Sequence, residues 1–153
     1  MSRIVSKNNP LLEITLRKFE KPSPDDRREL LRKFCISIGM LQPGDSRDII
    51  IDILEILLEA RKTKNRLTSS EINKIVLSKR ESLKDMRGIA YSNVRRHLKR
   101  LKEMNIIEKI NETYRIKEWL GLGEIMKEYI SPLILEPTIE RIHEYADEID
   151  KNF

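Results

Sequence analysis

Three residue types are scarce in this chain of 153 residues, and each scarcity excludes a class of protein. Cys35 is the only cysteine, so an intrachain disulfide is impossible and zinc sites with two or four cysteine ligands are excluded. Five glycines occur, and none belongs to the glycine-rich loop that cradles phosphates in nucleotide-binding enzymes. Aromatic residues make up 5% of the chain, which argues against the stacking platform of a single-stranded RNA-binding protein.

Long apolar runs and catalytic motifs are missing as well. No stretch approaches the roughly 18 consecutive apolar residues of a transmembrane helix, and the N-terminus lacks the pattern of a secretion signal. The motifs GxSxG and HExxH do not occur. Cys35, His97 and His143 belong to different predicted elements, so they suggest no metal site. We therefore expect a cytoplasmic protein of one domain's size that is not an enzyme and binds no cofactor, metal or membrane.

Charged residues are abundant instead, at 36% of the chain, and the two signs are segregated. Residues 1–60 carry 10 basic and 10 acidic residues, residues 61–102 carry 14 and 3, and residues 103–153 carry 6 and 12. In the charged surface of a thermophilic protein, positive and negative residues would be interspersed. The 22 isoleucines and the single glutamine of this chain are nevertheless typical of a protein from a thermophile. The segregation therefore favours a polyanion as the partner of the basic segment.

Apolar periodicity and capping residues predict two helices in the first part of the chain. Residues 1–22 fit a strand or a short helix equally well. A helix is predicted over 24–38, with Ser23 as its cap and Gly39 as its terminator. A core helix is predicted to run from Asp45 or Ser46 to about Lys62. Four acidic residues at helical spacing are expected to form its solvent-exposed face: Asp48, Asp52, Glu55 and Glu59.

Two further helices are predicted in the middle of the chain. The first begins with a cap at Thr68, Ser69 or Ser70, and a long loop over 79–88 follows it. The second spans about 90–104 and ends at Asn105, because asparagine tolerates the left-handed conformation. The residues expected to face inward are Ile72, Ile75 and Val76 on the first helix and Val94, Leu98 and Leu101 on the second.

The remainder of the chain predicts a hairpin and more helices. The stretches IIEKI and TYRIK alternate as strands do and are joined across Asn111-Glu112. From Trp119 onward the spacing is helical, with interruptions at Pro132 and Pro137. The last helix carries apolar residues on one side: Ile139, Ile142, Tyr145 or Ala146, and Ile149.

One stretch has a more specific pattern, YSNVRRHLKRLKEMNIIEKINETYRI at residues 91–116. It combines a small polar residue (Ser92), a basic pair (Arg95 and Arg96), a turn residue (Asn105) and an alternating hairpin, and LTSSEI precedes it. This pattern resembles the recognition helix and wing of winged helix-turn-helix transcription regulators, including arsenical-repressor-like and multiple-antibiotic-resistance-regulator-like families. More loosely, the whole sequence resembles predicted archaeal transcription regulators.

The resemblance covers residues 46–118. It implies a mainly α fold, in which a winged helix-turn-helix domain of three helices plus a β-hairpin carries extra helices in 1–45 and 119–153. The acidic Glu112 at the tip of the hairpin departs from the basic wings of these families.

The helix predicted over 90–104 has side chains suited to a DNA groove. When its three apolar residues face inward, seven residues are left outside, and five of them are cationic. The first residues of a recognition helix reach base edges in the major groove, so the candidate base readers are Tyr91, Ser92, Asn93, Arg95 and Arg96. Phosphate contacts position the protein, and their candidates are Ser70, Arg87, Lys99, Arg100, Lys109 and Arg115.

These observations predict a sequence-specific transcription regulator that binds double-stranded DNA. Because two-fold operators are read by two-fold proteins, we predict a homodimer with the helices over 24–38 and 138–150 at its interface. No effector ligand is indicated. The alternative is a winged-helix module that binds another protein in a transcription or replication assembly. RNA is a less favoured partner than either.

Overall fold

The computed structural model describes residues 13, 14, 18, 20–84 and 90–153. The described chain is mainly helical with a small three-stranded antiparallel sheet, which confirms the predicted fold class at this level. It divides between Trp119 and Leu120 into an N-terminal and a C-terminal unit. Within these ranges no helix is long and apolar enough to cross a membrane. Nearly all of the prediction for residues 1–22 lies outside the described residues.

The N-terminal unit is organised around one central helix. Its elements in chain order are α1 (Arg27–Ser37), α2 (Ile49–Lys62), β1 (Leu67–Thr68), α3 (Ser69–Leu83), α4 (Tyr91–Glu103), β2 (Ile107–Ile110), β3 (Thr113–Ile116) and a 3-10 turn (Lys117–Trp119). Helix α2 packs against α1, α3, α4 and β3. Eight of its 14 residues are buried, so the prediction of a core helix is confirmed.

Helix α1 ends where predicted but begins at a different cap. Asp26, not Ser23, is the N-cap, and its carboxylate accepts a hydrogen bond from the backbone N–H of Glu29 at 3.0 Å. Pro24 and Asp25 form a turn before the helix, so Ser23 is too far away to cap it. Gly39 ends the helix with a φ of +75°, as predicted.

Helix α3 is longer than predicted. Thr68 caps it by accepting a hydrogen bond from the N–H of Glu71 at 3.1 Å. The helix continues to Leu83, so the loop predicted over 79–88 is wrong for residues 79–83. Its buried side continues beyond the apolar stretch with Arg80, four residues after Val76. Ile75, expected to face inward, is exposed.

The strands form a sheet in which β3 lies between β1 and β2. The predicted hairpin is confirmed: Ile107 pairs with Ile116, and the two turn residues Asn111 and Glu112 both have positive φ. The pairing of Leu67 with Tyr114 in β1 was not predicted, because a two-residue strand has no detectable periodicity.

A buried ion cluster joins α1, α2 and α3, and it contradicts the prediction that the acidic side of α2 faces solvent. Asp48 and Asp52 are 6% and 2% exposed, and Arg80 of α3 is 2% exposed. Arg80 donates to Asp52 at 2.6 Å and to Asp48 at 2.7 Å. From α1, Arg28 donates to Asp52 at 2.7 Å and Arg32 donates to Asp48 at 2.6 Å.

The cluster explains why two carboxylates are tolerated inside the unit. Burial alone would raise the pKa of Asp48, but hydrogen bonds and charge from Arg80 and Arg28 outweigh it and hold that pKa below its ordinary value. The two outer acids of the predicted face, Glu55 and Glu59, are partly exposed and pair with Lys79 and Lys62. Only the N-terminal half of the predicted face is therefore buried.

The C-terminal unit is helical from Leu122 onward. It consists of α5 (Leu122–Ile125), a π-helical segment (Met126–Leu135) and α6 (Glu136–Asn152). The chain does not break at Pro132 or Pro137 as predicted, but the regular α-helix is interrupted by the π-helical segment. Pro132 lies inside the π-helical segment, and Pro137 lies in the first turn of α6, where no backbone N–H is needed. Every residue of α6 is exposed.

Replacing Arg80 with methionine should destabilise the N-terminal unit by about 3–5 kcal/mol, because it leaves two buried carboxylates short of a partner. The matched control is Lys79→Met, whose partly exposed pair with Glu55 should be worth about 0–1 kcal/mol. Urea denaturation followed by circular dichroism measures both losses. Equal losses in the two variants would contradict a structural role for the buried ion cluster.

Candidate nucleic-acid interface

Helix α4 is the element on which the predicted interface depends, and its inner side is as predicted. Val94, Leu98 and Leu101 are fully buried. At the start of the helix, the hydroxyl of Tyr91 lies 2.7 Å from that of Ser69, so the N-termini of α3 and α4 are joined. At its end, Asn105 has a φ of +62°, as predicted for the terminating residue.

The side of α4 that faces solvent carries a row of polar and cationic residues. Ser92, Arg95, Lys99 and Lys102 are all exposed and follow one another at intervals of three and four residues, so they share one face of the helix. We call these four residues the outward row. The guanidinium of Arg95 lies 5.9 Å from the centre of the Tyr91 ring, so these two predicted base readers are in contact.

The other predicted readers lie on a third side of α4. Asn93, Arg96 and Arg100 line a cleft between α4 and residues 39–47, as does His97. Arg100 donates to the backbone oxygen of Gly39 at 2.9 Å, which ties this predicted phosphate contact to the loop. Of the five predicted readers, Ser92 and Arg95 therefore lie in the outward row and Asn93 and Arg96 in the cleft, while Tyr91 lies at the start of the helix.

The hairpin has basic residues, but acidic neighbours pair with them. Arg115 is within 2.5 Å of Glu108, and its guanidinium lies 5.0 Å from the centre of the Trp119 ring. Lys109 is 3.3 Å from Glu112. Burial would raise the pKa of Glu108, but the N–H of residue 118 and the charge of Arg115 outweigh it and lower that pKa. Both predicted phosphate contacts of the hairpin are thus engaged in ion pairs.

Two predicted phosphate contacts remain, Ser70 and Arg87. Ser70 is exposed in the first turn of α3, beside the joined N-termini of α3 and α4. Arg87 lies outside the described residues. Arg80 belongs to the basic segment 61–102 but is buried in the ion cluster, so the net charge of the segment overstates the positive charge of its surface.

His97 is a buried residue whose surroundings the sequence did not reveal. It is 8% exposed, and its Nδ1 has no hydrogen-bond partner within the part of the chain that the structure describes. Burial lowers its pKa from 6.5 to about 4, and the nearby charges of Arg96 and Arg100 act in the same direction, against a smaller effect of Asp45. His97 is therefore neutral at physiological pH.

The described residues offer no metal site. Nowhere in ranges 20–84 and 90–153 do three side chains of His, Cys, Asp or Glu come together as a metal would require. Cys35 is fully buried, and burial raises the pKa of its thiol to about 12. A thiol with such a pKa is not a nucleophile at neutral pH.

Comparison with known proteins identifies no relative of this chain. No protein-family model matches it, and no curated protein and no solved structure is significantly similar to it.

The depressed pKa of His97 predicts a loss of stability in mild acid. Between pH 6.5 and 4 the unfolded chain binds a proton at this residue and the folded chain does not. The free energy of unfolding should therefore decrease by up to about 3 kcal/mol as the pH is lowered through this range. Urea titrations at several pH values measure the slope. The variant His97→Phe should lose its contribution to this slope, and an unchanged slope would contradict the burial of His97.

Proposed function

We propose that the N-terminal unit is a winged helix-turn-helix domain that binds double-stranded DNA as a transcription regulator, with α4 in the major groove. The observation that carries the proposal is the outward row, which includes three exposed cations on a helix whose opposite side is fully buried. An α-helix fits the major groove, which is about 12 Å wide. The order of α2, α3 and α4 followed by the hairpin of β2 and β3 agrees with such a domain, with α1 as an additional helix before it.

Within the outward row, the position of each residue suggests its role. Arg95 lies in the first half of α4, where a guanidinium can donate two hydrogen bonds to guanine. Lys99 and Lys102 lie in the second half and suit phosphate contacts, which position a protein without reading sequence. Ser70 is exposed in the first turn of α3, where backbone N–H groups and the helix dipole favour a phosphate.

The hairpin contributes little to DNA binding in this proposal. Because Arg115 and Lys109 are paired with acidic residues, inserting the hairpin between phosphates would require those pairs to break. This is the feature that most favours the alternative, a module that binds another protein. A duplex-binding assay separates the two, because the alternative requires no affinity for DNA.

The variant Arg95→Ala should lose about 1–3 kcal/mol of binding free energy to a selected duplex and discriminate less between sequences. Lys99→Ala should weaken binding to all sequences. It should also reduce, by about one, the slope of the logarithm of the binding constant against the logarithm of the salt concentration. The matched control Lys151→Ala removes an exposed cation from α6 and should leave binding unchanged. Fluorescence anisotropy at several salt concentrations measures all three, and the absence of salt-dependent binding by the unaltered protein would refute the proposal.

The proposed regulator is a homodimer that forms through α6. Five large apolar side chains within residues 136–153 are more than half exposed: Ile139, Ile142, Tyr145, Ile149 and Phe153. The positions 135, 139, 142, 146, 149 and 153 alternate steps of four and three residues, which is the repeat of a coiled-coil seam, and each holds an apolar residue.

A second copy of the same helix is the partner that best matches this seam. In a parallel pair, Tyr145 lies opposite Asp150 of the other copy and Thr138 lies opposite His143, so no like charges meet beside the seam. The acidic residues Glu140, Glu144 and Asp147 lie away from it. A two-fold dimer matches a two-fold operator, whose half-sites lie in successive major grooves about 34 Å apart. Helix α1, also predicted for the interface, already packs on α2, and Cys35 is buried there.

The variant Ile142→Glu should convert the dimer to a monomer, because it places a charge in the middle of the seam. The matched control is Glu144→Gln, which changes an exposed residue away from the seam. Light scattering at micromolar concentrations measures the mass of each, and circular dichroism checks that both are folded. A monomeric unaltered protein would exclude the dimer.

A further inference from the structure

The cleft between α4 and residues 39–47 has the dimensions of a small-molecule site. Its volume is about 380 Å³, within the range of roughly 300–1,000 Å³ that ligand pockets occupy. It is open on one side, so a ligand can enter from solvent. Its α4 wall includes Arg96, whose neighbour Arg95 belongs to the outward row.

Basic residues outnumber acidic ones around the cleft. Arg47, Arg96 and Arg100 line it, against Glu13 and Asp45. Arg47 is weakly paired, since its Nε lies 3.9 Å from Asp45. Arg96 is exposed and forms no ion pair with any residue in the described ranges. The guanidinium groups of Arg47 and Arg96 are thus available to an anion.

His97 gives the cleft a group that can report on a bound charge. His97 lines the cleft and is more than nine-tenths buried, yet its Nδ1 has no partner among the described residues. Because Nδ1 is sealed from solvent, an anion in the cleft does not bond to this atom, but its charge acts on the imidazole ring through space.

We propose that this cleft binds the phosphate group of a small phosphate ester, which accepts hydrogen bonds from Arg96 and Arg47 and lies beside the His97 ring. Phosphate suits the site because planar guanidinium groups bind its oxygens in pairs. Asp45 lines the cleft as well, and it favours a ligand that carries a hydroxyl group to donate to it. Inorganic phosphate is the simplest member of this class.

The location of the site gives the bound ester a regulatory effect, and this part rests on the proposed function. Arg96 lies on α4 between the outward row and the cleft, so an anion that engages it withdraws a cation from the DNA-binding helix. The anion also adds negative charge beside the duplex. Binding of the ester and binding of DNA should therefore oppose each other, and the opposition should be reciprocal.

Nitrogen NMR of the histidine side chains tests the site directly, because the chain has two histidines and only His97 lies in the cleft. Inorganic phosphate and glycerol phosphate are titrated at constant ionic strength, with chloride as the balancing anion. We expect saturable shifts of the His97 resonances and a rise in the pKa of His97, since the anion adds to the effect of Asp45 and offsets the charges of Arg96 and Arg100, which lower that pKa. His143, exposed on α6, should not respond.

Matched variants identify the residues responsible. Arg96→Gln should weaken phosphate binding at least several-fold, whereas Lys102→Gln, an exposed cation of α4 outside the cleft, should not. The proposal is overturned if the two histidines respond alike, if the His97 shifts do not saturate in the millimolar range, or if the two variants behave the same.

A second titration separates the site from the proposed function. Duplex DNA alone should not reproduce the His97 shifts, and the ester should weaken DNA binding by the unaltered protein more than by Arg96→Gln. If DNA produces the same shifts, the cleft binds a backbone phosphate and the ester proposal is wrong. If phosphate binds and DNA does not bind at all, the site is retained and the regulator function is lost.

Discussion

The N-terminal unit depends on the pairing of Arg80 with Asp48 and Asp52. Three charged groups lie inside the unit, and removing charges from water is costly unless each finds a partner of good geometry. Arg80 satisfies this requirement because it bridges both carboxylates, and Arg28 and Arg32 complete them from the side of α1. A shift of α3 relative to α2 would break these contacts, so the cluster constrains how the two helices pack.

The position of α4 follows from this arrangement. Helix α3 is held on α2 by the buried ion cluster, and the contact between Ser69 and Tyr91 joins its N-terminus to that of α4. Val94, Leu98 and Leu101 then bury one side of α4 in the core. Most of the other residues of α4 belong either to the outward row or to the wall of the cleft. Arg95 and Arg96 are adjacent in the chain, but about 100° of rotation per residue places them on different sides.

The elements best predicted from the sequence are those with strong local patterns. Helices α2 and α4 have clear apolar periodicity, and the hairpin has alternating strands around a short turn. Two of the errors occurred where a charged residue is buried. Because Arg80 breaks the apolar pattern, α3 was predicted to end too early, and because Asp48 and Asp52 are acidic, their side of α2 was predicted to face solvent. In both cases a partner from another element, which no local pattern contains, reverses the ordinary preference of a charge for water.

The sequence by itself determined the mainly helical architecture, the buried side of α4, the end of α4 at Asn105 and the abundance of cations on α4, and it narrowed the cap of α3 to three adjacent residues. These features depend on interactions between residues a few positions apart, so spacing is enough to predict them. Only the tertiary structure decided which cations face solvent, which are paired, and that His97 lies in a cleft with Arg96 and Arg47. Those properties depend on groups up to dozens of residues apart in the chain, and the distances between such groups exist only after the helices have packed.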